Sequence, residues 1–600
     1  MPRREWTWRI DLAPAALWPV LADTDRLNEA LTLPPYILQE TPRPDGTVLR
    51  TGQAKVAGYD LAWEEKPYEW VQERSFRQMR VFTRGPFRRF GPVMSMVPEG
   101  AATRVSYALE WEAMGLVGRL FGARLAAQSG AAVEKRILHA AEFLRGLQPA
   151  RFEMPPPKLT PAAHERRAAI VAQLATSPYA HGAAQRLGDW IATAQTAELM
   201  RIRPKVLADQ FGLSRRAAIE LCLAAAKTGL LAMRWDLLCP SCRGAKQSVS
   251  SLDALPSGAH CASCNIDYDR DFGRNVELTF QPSPAIRPIA AGGFCLSGPG
   301  TTPHVAVQQL LQAGERREIE ADLAPGPYRL RTLHPGTVVE IEHEGGGFPG
   351  LRATATGVEA LPPAANGRIA LLNDAGHELA LLIESRRWVA DALTAHEVTT
   401  LQAFRDLFAQ ATLRPGDEVG IGKVALLFTD LRGSTALYER IGDAPAFNMV
   451  REHFAFLGAT VRDHDGAVVK TIGDAVMAAF NDPADAVRAA LAIQRRVGEL
   501  NQRLAASHGS DTEGLVVKLG VHEGPCIAVT LNDRLDYFGS TVNMAARLQG
   551  QSAGGDIVLS LAIAADPAVV PLLAGLPMQQ ESVLLKGFGE AVPFLRLSVG

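Results

Sequence analysis

The chain has 600 residues, of which 47% are hydrophobic and 21% charged, and its formal net charge is −2. This length is too great for one hydrophobic core and predicts about four domains. A charge so close to zero argues against binding to nucleic acid or membranes through bulk electrostatics alone. The N-terminal segment lacks the apolar core of a signal peptide, and no stretch approaches the roughly 20 apolar residues of a membrane-spanning helix. We therefore expect a cytoplasmic protein without a membrane partner.

Residues 1–148 have the pattern of several strands followed by one long helix. Aromatic-rich, partly alternating runs such as REWTWRI and RVSYALEWEA predict strands, and helical spacing of apolar residues begins after Gly115. This order resembles the START-like helix-grip fold, an α+β fold in which a sheet wraps around a long C-terminal helix. The resemblance implies a site for an apolar small molecule, although the same aromatic residues could fill a solid core. The candidate lining residues are Trp63, Trp70, Phe82 and Trp111.

A proline-rich stretch at 154–161 marks a domain boundary, and residues 162–235 have a helical composition. Within them, residues 204–231 look like a helix-turn-helix, with Gly212 at the turn and Ser214 capping the second helix. DNA binding and packing between domains are both compatible with this pattern. The apolar run AAIELCLAAA in the second helix favours packing, so we do not expect a nucleic-acid partner.

Residues 236–275 contain four of the seven cysteines, arranged as two C-x2-C pairs. Two such pairs can place four thiolates around one tetrahedral zinc ion, with no position left open for catalysis. The spacing therefore predicts a zinc ribbon with one structural Zn²⁺. Its predicted ligands are Cys239, Cys242, Cys261 and Cys264.

The next two segments carry no chemical motif. Residues 276–390 contain candidate strands such as TVVEIEHEG and HELALLIES, for which a β-sandwich is the plain expectation. Residues 385–409 have helical spacing, and we assign 391–417 as a helical linker. A helix directly before the last domain could transmit a signal or serve only as a spacer.

From residue 418 to the C-terminus the pattern becomes α/β, in the order strand, helix, hairpin, helix, strand. Asp430 ends an apolar strand in the motif FTDLRGST, and Asp474 lies at the hairpin turn in KTIGDAVMAAF. Two carboxylates at adjacent strand ends suit a pair of Mg²⁺ or Mn²⁺ ions, which prefer oxygen ligands. Either aspartate alone could be a helix cap or a turn residue, but both together in these flanking sequences favour a metal site.

These two motifs, with LDYFGSTVNMAAR at 535–547, resemble the α+β ferredoxin-like catalytic core of class III nucleotide cyclases over residues 420–600. The resemblance implies that Leu431 adds a backbone carbonyl ligand and that Lys470 and Asp536 read the base. A lysine donor and a carboxylate acceptor match the edge of adenine, whereas guanine presents the reverse pattern. The expected substrate is therefore ATP, and guanylate cyclase activity is disfavoured.

The resemblance also assigns the remaining site residues. Asn543 would orient the ribose and Arg547, four residues later on the same helix face, would stabilise charge on the α-phosphate. Lys586 would bind the terminal phosphates. The implied reaction is attack of the ribose 3′-hydroxyl on the α-phosphorus, which yields 3′,5′-cyclic AMP and pyrophosphate. No residue of these motifs is an obvious general base.

In this family the metal aspartates and the base-reading and arginine residues of one site come from different catalytic domains. The chain carries one such domain, so the resemblance implies a head-to-tail homodimer with two composite sites, each holding two metal ions. The expected protein is a multidomain adenylate cyclase controlled by its N-terminal domains. Two alternatives remain: a catalytically silent, nucleotide-sensing interaction module, and a DNA-binding regulator that uses the helix-turn-helix and the zinc ribbon.

Overall fold

The fold is described from a computed structural model. It covers residues 2–33, 36, 38–43, 48–56, 59–148, 150–154, 157–241, 243–261, 266–289, 298–364, 367–386, 391–409, 413, 418–508, 514–531, 534–587 and 589–599. Within these ranges, no helix has the length and apolar character needed to cross a lipid bilayer. Two of the predicted zinc ligands, Cys242 and Cys264, lie outside the described residues.

The first part of the chain is an antiparallel sheet with a helical insertion after its first strand and a long helix at its end. Its elements are β1 (Arg3–Ile10), α1 (Pro14–Leu21), α2 (Thr24–Ala30), β2 (Leu38–Pro42), β3 (Val48–Val56), β4 (Tyr59–Glu65), β5 (Glu69–Val71), β6 (Ser75–Arg77), β7 (Arg80–Arg84), β8 (Phe87–Glu99), β9 (Ala102–Ala113) and α3 (Gly115–Leu144). Helix α3 packs on β1 and β9. The order of strands and helices agrees with the sequence pattern, and the START-like assignment stays a prediction.

The four aromatic residues expected to line a cavity fall into two packed clusters. Trp63 packs against Phe82, which lies beside Trp111 in one cluster. Trp70 belongs to another cluster, and its Nε1 donates to the carbonyl of Val305 at 2.8 Å. The predicted apolar ligand stays a prediction.

A bundle of short helices follows. Its elements are α4 (Pro161–Ala175), α5 (Ala184–Thr193), α6 (Thr196–Leu199), α7 (Pro204–Phe211) and α8 (Arg215–Thr228). Gly212 ends α7 in the left-handed region at φ 59°, where glycine has no steric cost, and Ser214 caps α8 by accepting from the Ala217 N–H at 3.1 Å. The helix-turn-helix geometry is as expected. All of residues 218–225 in α8 are buried, so this helix packs inside the protein rather than presenting a reading surface.

The cysteine-containing region forms two small antiparallel pairings. Its elements are β10 (Leu231–Leu238), β11 (Ala245–Val249), β12 (Gly258–Cys261), β13 (Ile266–Asp269) and β14 (Val276–Pro282), with β10 between β11 and β14 and β12 paired to β13. Cys239 and Cys261 are both fully buried in one small cluster. The described residues hold no group of three or more His, Cys, Asp or Glu side chains placed to bind a metal, so the zinc site stays a prediction.

Two further sheets enclose one core. Their strands are β15 (Val305–Leu311), β16 (Arg316–Ile319), β17 (Gly326–Thr332), β18 (Val339–His343), β19 (Gly350–Thr354), β20 (Gly357–Leu361), β21 (Ile369–Asn373) and β22 (Leu379–Ser385). The sheet β18-β17-β22-β15 shares this core with the sheet β16-β21-β19-β20, as the expected sandwich requires. Strand β15 also pairs with β5, so the N-terminal sheet and the sandwich are hydrogen-bonded into one sheet.

The predicted linker helix is divided into two short helices, α9 (Ala395–Thr399) and α10 (Gln402–Leu407). The prediction of one continuous helix over 385–409 is therefore wrong. The break follows two threonines whose hydroxyls bond back to helix carbonyls, Thr399 to His396 at 3.0 Å and Thr400 to Glu397 at 2.8 Å. Such side-chain bonds compete with helix continuation.

The C-terminal part is a mixed α/β domain in the predicted order. Its elements are β23 (Glu418–Leu431), α11 (Ser434–Ile441), α12 (Asp443–Asp463), β24 (Gly466–Ile472), β25 (Ala475–Phe480), α13 (Pro483–His508), β26 (Val517–Leu531), β27 (Arg534–Phe538), α14 (Ser540–Gln549), β28 (Asp556–Ser560), α15 (Leu561–Ala564), α16 (Val570–Leu573), β29 (Met578–Leu584) and β30 (Ala591–Ser598). The strand order is β24-β25-β23-β26-β28-β30-β29, and β27 pairs with β26.

Alternate residues of this sheet face two different cores. Leu427 and Val476 pack with α12 and α13 on one side. Leu426, Phe428 and Met477 face the other side, where α14 also packs, and we call this side the α14 face. Both faces are buried, which explains why VALLF in β23 is a continuous apolar run rather than an alternating one.

Candidate active site

Two carboxylates lie at the ends of neighbouring strands. Asp430 is the penultimate residue of β23, and Asp474 follows Gly473 in the turn between β24 and β25. Gly473 has a φ of 65°, which a glycine adopts without steric cost. Thr429 Oγ1 accepts from the Val476 N–H at 3.2 Å and so fastens this hairpin to β23. The fold therefore brings the two predicted metal-binding carboxylates to the same end of the strands β23, β24 and β25.

The electrostatics of the acidic pair favour a bound cation. Burial raises the pKa of Asp430, and the neighbouring Asp474 carboxylate raises it further. Oδ2 of Asp474 is buried and has no hydrogen-bond partner in the described part of the chain. A buried, unpaired carboxylate oxygen beside a second carboxylate is a fitting position for Mg²⁺ or Mn²⁺. Leu431, the residue after Asp430, is buried, and its backbone carbonyl stays a predicted metal ligand.

Three neighbours of this pair were not predicted. Lys518 lies opposite Asp430 in the β23–β26 register, and Gln549 bonds its side chain to the same carboxylate; both lower the pKa of Asp430. His453 on α12 is fully buried near Asp474, and burial lowers the pKa of its imidazole to about 4. The register between β23 and β26 would have identified Lys518, but it is not readable from a single sequence.

Lys470 and Asp536 are hydrogen-bonded to each other, and their base-reading role stays a prediction. Lys470 Nζ donates to Asp536 Oδ2 at 2.6 Å. A register shift between Val468 and Lys470 places Lys470 opposite Met477 and therefore on the α14 face. Asp536 is only 6% exposed, and its Oδ1 accepts from the Tyr537 N–H at 2.8 Å. Both carboxylate oxygens of Asp536 are thus engaged by the protein itself.

Helix α14 carries the predicted ribose and phosphate residues. Asn543 and Arg547 are both exposed, as their four-residue spacing on one helix face predicts. The helix approaches β26 closely because Gly520 has no side chain: a Cβ there would lie 2.3 Å from the backbone nitrogen of Gln549. In the described ranges, neither Asn543 nor Arg547 forms a hydrogen bond or ion pair with Asp430.

Lys586 lies apart from these groups. It is exposed in the turn between β29 and β30, and β29 is at the opposite edge of the sheet from β24. Within one chain the fold joins the acidic pair and the base-reading pair to the α14 face. It does not bring Lys586 to either of them.

The α/β domain thus carries two carboxylates at strand ends, a bonded lysine–aspartate pair and an exposed arginine. Residues 418–565 match the family described as adenylate and guanylate cyclase catalytic domain. The class III cyclase resemblance is confirmed over this part of the chain. Residues 165–294 match a second family, which is described only as being of unknown function (DUF5939).

The matched relatives include adenylate cyclases and a guanylate cyclase of Rattus norvegicus. The chain is 35% identical over 162 residues to an adenylate cyclase of Lachancea kluyveri, a match that covers 25% of this chain and 9% of that protein. It is 27% identical over 179 residues to an adenylate cyclase of Anabaena cylindrica, covering 28% of this chain and 36% of that protein. The solved adenylyl cyclase CyaB from P. aeruginosa aligns at 22% identity and a TM-score of 0.28 over 31% of this chain and 97% of that one. The chain thus spans well under half the length of the two curated adenylate cyclases.

Proposed function

We propose that the protein is an adenylate cyclase that converts ATP to 3′,5′-cyclic AMP and pyrophosphate. The observation that carries this proposal is the Lys470–Asp536 bond on the same sheet face as the Asp430–Asp474 pair. One pair offers a donor and an acceptor for a base, and the other offers oxygen ligands for cations. The names of the two curated adenylate cyclases point to the same activity.

The acidic pair would hold two Mg²⁺ or Mn²⁺ ions, with Leu431 contributing its carbonyl. Such ions, when bound, activate an attacking hydroxyl and neutralise a leaving pyrophosphate. The chain's own contribution is to hold the two carboxylates close together in spite of their repulsion, as the raised pKa of Asp430 indicates. Thr429 supports this by fixing the hairpin that carries Asp474.

Lys470 and Asp536 would select adenine. The ammonium donates to the ring acceptor N1, and the carboxylate accepts from the N6 amine. Guanine would leave both groups facing the wrong partner, and a buried mismatch of this kind discriminates strongly. Because Lys470 and Asp536 are bonded to each other, they must separate to admit a base.

Relative to the acidic pair, the base-reading residues Lys470 and Asp536 would act from a second copy of the chain, together with Asn543, Arg547 and Lys586. Asn543 would orient the ribose, Arg547 would stabilise charge on the α-phosphate, and Lys586 would hold the terminal phosphates. The position of Lys586 beside β29, at the edge of the sheet opposite β24, and the exposure of Asn543 and Arg547 support a head-to-tail homodimer with two shared sites.

The shared site is tested by mixing inactive chains. Asp474→Ala and Arg547→Ala chains damage opposite halves, so mixing them should restore about a quarter of wild-type activity, because half of the dimers are mixed and each has one intact site. A mixture of Asp474→Ala and Asp430→Ala chains is the matched control, because both lack the same half and should stay inactive. The assay measures cyclic AMP from ATP with Mn²⁺. No recovery in the first mixture would refute the shared site, and wild-type turnover of GTP equal to that of ATP would refute the base assignment.

The remaining domains would be regulatory. Cys239 and Cys261, buried in one cluster, support a proposed structural Zn²⁺ that also uses Cys242 and Cys264. Residues 1–148 would form a START-like sensor for an apolar small molecule. The DNA-binding alternative is not favoured, since residues 218–225 of the second helix are buried.

A further inference from the structure

The α14 face of the catalytic sheet is covered by an earlier part of the same chain. One continuous hydrophobic cluster joins residues of the helical bundle and of α9 and α10 to this face. From the covering side it includes Leu221, Trp235, Val398 and Phe404, and from the sheet it includes Leu426, Met477, Ala528 and Tyr537. The covering residues therefore share one core with the catalytic domain instead of forming a separate unit.

Helix α10 makes the polar contacts at the centre of this cover. Gln402 Oε1 accepts from the Val468 N–H at 2.9 Å, beside the register shift that orients Lys470. Arg405 Nη1 donates to the Leu535 carbonyl at 3.1 Å, next to Asp536 in the chain. Its guanidinium also lies 5.6 Å from the centre of the Tyr537 ring. Helix α10 thus contacts both strands that carry the base-reading pair.

The bundle and strand β10 support α10 from behind, and the bundle also contacts the catalytic domain independently. Tyr179 donates its hydroxyl to Asp406 at 2.7 Å, and Phe404 packs edge-on against Trp235 at 6.0 Å. At the start of α8, Arg216 bonds Asp465 at 2.9 Å, just beyond the end of α12. The cover therefore contacts the catalytic domain just before β24, within β24 and in β27.

The apolar surface extends beyond what the cover buries. Ile472, Leu531 and Phe538 end the strands β24, β26 and β27, which contribute to the covered face, and are 52%, 52% and 65% exposed. Exposed large apolar side chains near a functional site are typical of a surface that binds another protein. The shared site of the proposed function supplies that partner, because its completion requires a second copy to reach the groups on this face.

We propose that α10, supported by the bundle, is an autoinhibitory cover that occupies the face on which a second copy of the chain docks. The covered monomer and the active dimer then exclude one another. This proposal rests on the shared-site cyclase proposed above. In the covered state, Asp536 is buried with both oxygens bonded within the catalytic domain, so a base can reach this carboxylate only after Lys470 is displaced.

The test uses the full-length chain and the change Arg405→Ala, which removes the bond to Leu535 and the contact with Tyr537, together with the Nε bond to the Thr399 carbonyl within the cover. We expect the dimer dissociation constant, measured by sedimentation, to fall about tenfold, the effect of losing one charged hydrogen bond from the competing state. Amide exchange of residues 534–538 in the monomer should accelerate, and cyclic AMP formation at low protein concentration should rise. Arg405→Lys, which keeps a cationic donor, should shift the dimer constant less.

Two more variants make the outcome decisive. Arg503→Ala removes an exposed arginine from α13, on the opposite side of the sheet, and should leave the dimer constant unchanged. Tyr179→Phe removes only the bond to Asp406 and should shift the constant in the same direction as Arg405→Ala, which covers the case in which the latter misfolds. An unchanged or weakened dimer in both variants would overturn the cover. A strengthened dimer without ATP turnover would instead support the autoinhibitory cover and refute the proposed cyclase activity.

Discussion

Replacement of His396 by leucine should reduce the acid sensitivity of the protein. His396 lies in α9 at the interface with the catalytic domain and is 5% exposed. Burial lowers the pKa of its imidazole to about 4, and the nearby backbone of Lys423 opposes this shift only weakly. In an unfolded chain a histidine has a pKa of about 6.5. The folded protein therefore binds a proton at this position less readily than the unfolded chain does.

The sign and size of the effect follow from these two pKa values. Above pH 6.5 both states are neutral and the histidine adds no pH dependence. As the pH falls from about 6.5 to about 4, His396 becomes protonated in the unfolded chain but stays neutral in the folded one. The free energy of unfolding therefore decreases by up to about 3.4 kcal/mol. At pH 5.5 the loss is about 1.4 kcal/mol, and it is close to zero at pH 7.5.

The assay is urea unfolding of wild type and His396→Leu at pH 7.5 and 5.5, followed by a probe in the catalytic domain. The loss of unfolding free energy between the two pH values should be about 1.4 kcal/mol smaller in His396→Leu than in wild type. His164→Leu, at an exposed position on α4, controls for the removal of a histidine as such. Equal pH dependence in wild type and His396→Leu would show that His396 is not held neutral by burial.

Three further predictions concern other parts of the protein. Asp474→Asn should unfold at a higher temperature than wild type in EDTA, because the repulsion between two like charges is removed. In Mn²⁺ at a hundredfold excess over its Kd, wild type should gain about 2.7 kcal/mol of unfolding free energy, and Asp474→Asn should not. Equal stabilisation of both proteins by Mn²⁺ would contradict the metal site. Gly520→Ala should lower stability by about 1–3 kcal/mol and reduce cyclic AMP formation, because the added Cβ meets the backbone of Gln549 at 2.3 Å; unchanged activity and unfolding would show that α14 can shift freely. Cys239→Ser should reduce zinc, measured by elemental analysis, from one ion per chain to none; zinc-free wild type would disprove the ribbon, in which Cys261 is also assigned.

The catalytic domain was predictable because its chemistry is local in sequence. Asp430 lies at the end of β23 and Asp474 in the turn after β24, so strand ends and a glycine turn suffice to place them. Asn543 and Arg547 need only helical spacing to share a face. The pairing of Lys470 with Asp536 came from the family resemblance, since 66 residues separate them and no periodic pattern relates them.

Contacts that depend on long-range register were not predictable from one sequence. The joining of the N-terminal sheet to the sandwich rests on two residue pairs, Val71 with Val307 and Trp70 with Gln308, and either strand could equally have been an edge. The break between α9 and α10 was missed because helical spacing continues through it. Its cause is the back-bonding of two threonine hydroxyls, which spacing does not register.

The continuous apolar run of β23 also constrains how the cover can be removed. Leu426 and Leu427 are both fully buried although they face opposite sides of the sheet, so neither face can be left in water without cost. Exposing an apolar side chain costs about 1.5–3 kcal/mol, and the α14 face carries several. A free, uncovered monomer is therefore a high-energy state, and the cover should be exchanged for a second chain rather than opened in advance. The rate of activation should then rise with protein concentration, whereas prior opening of the monomer would give a rate independent of concentration.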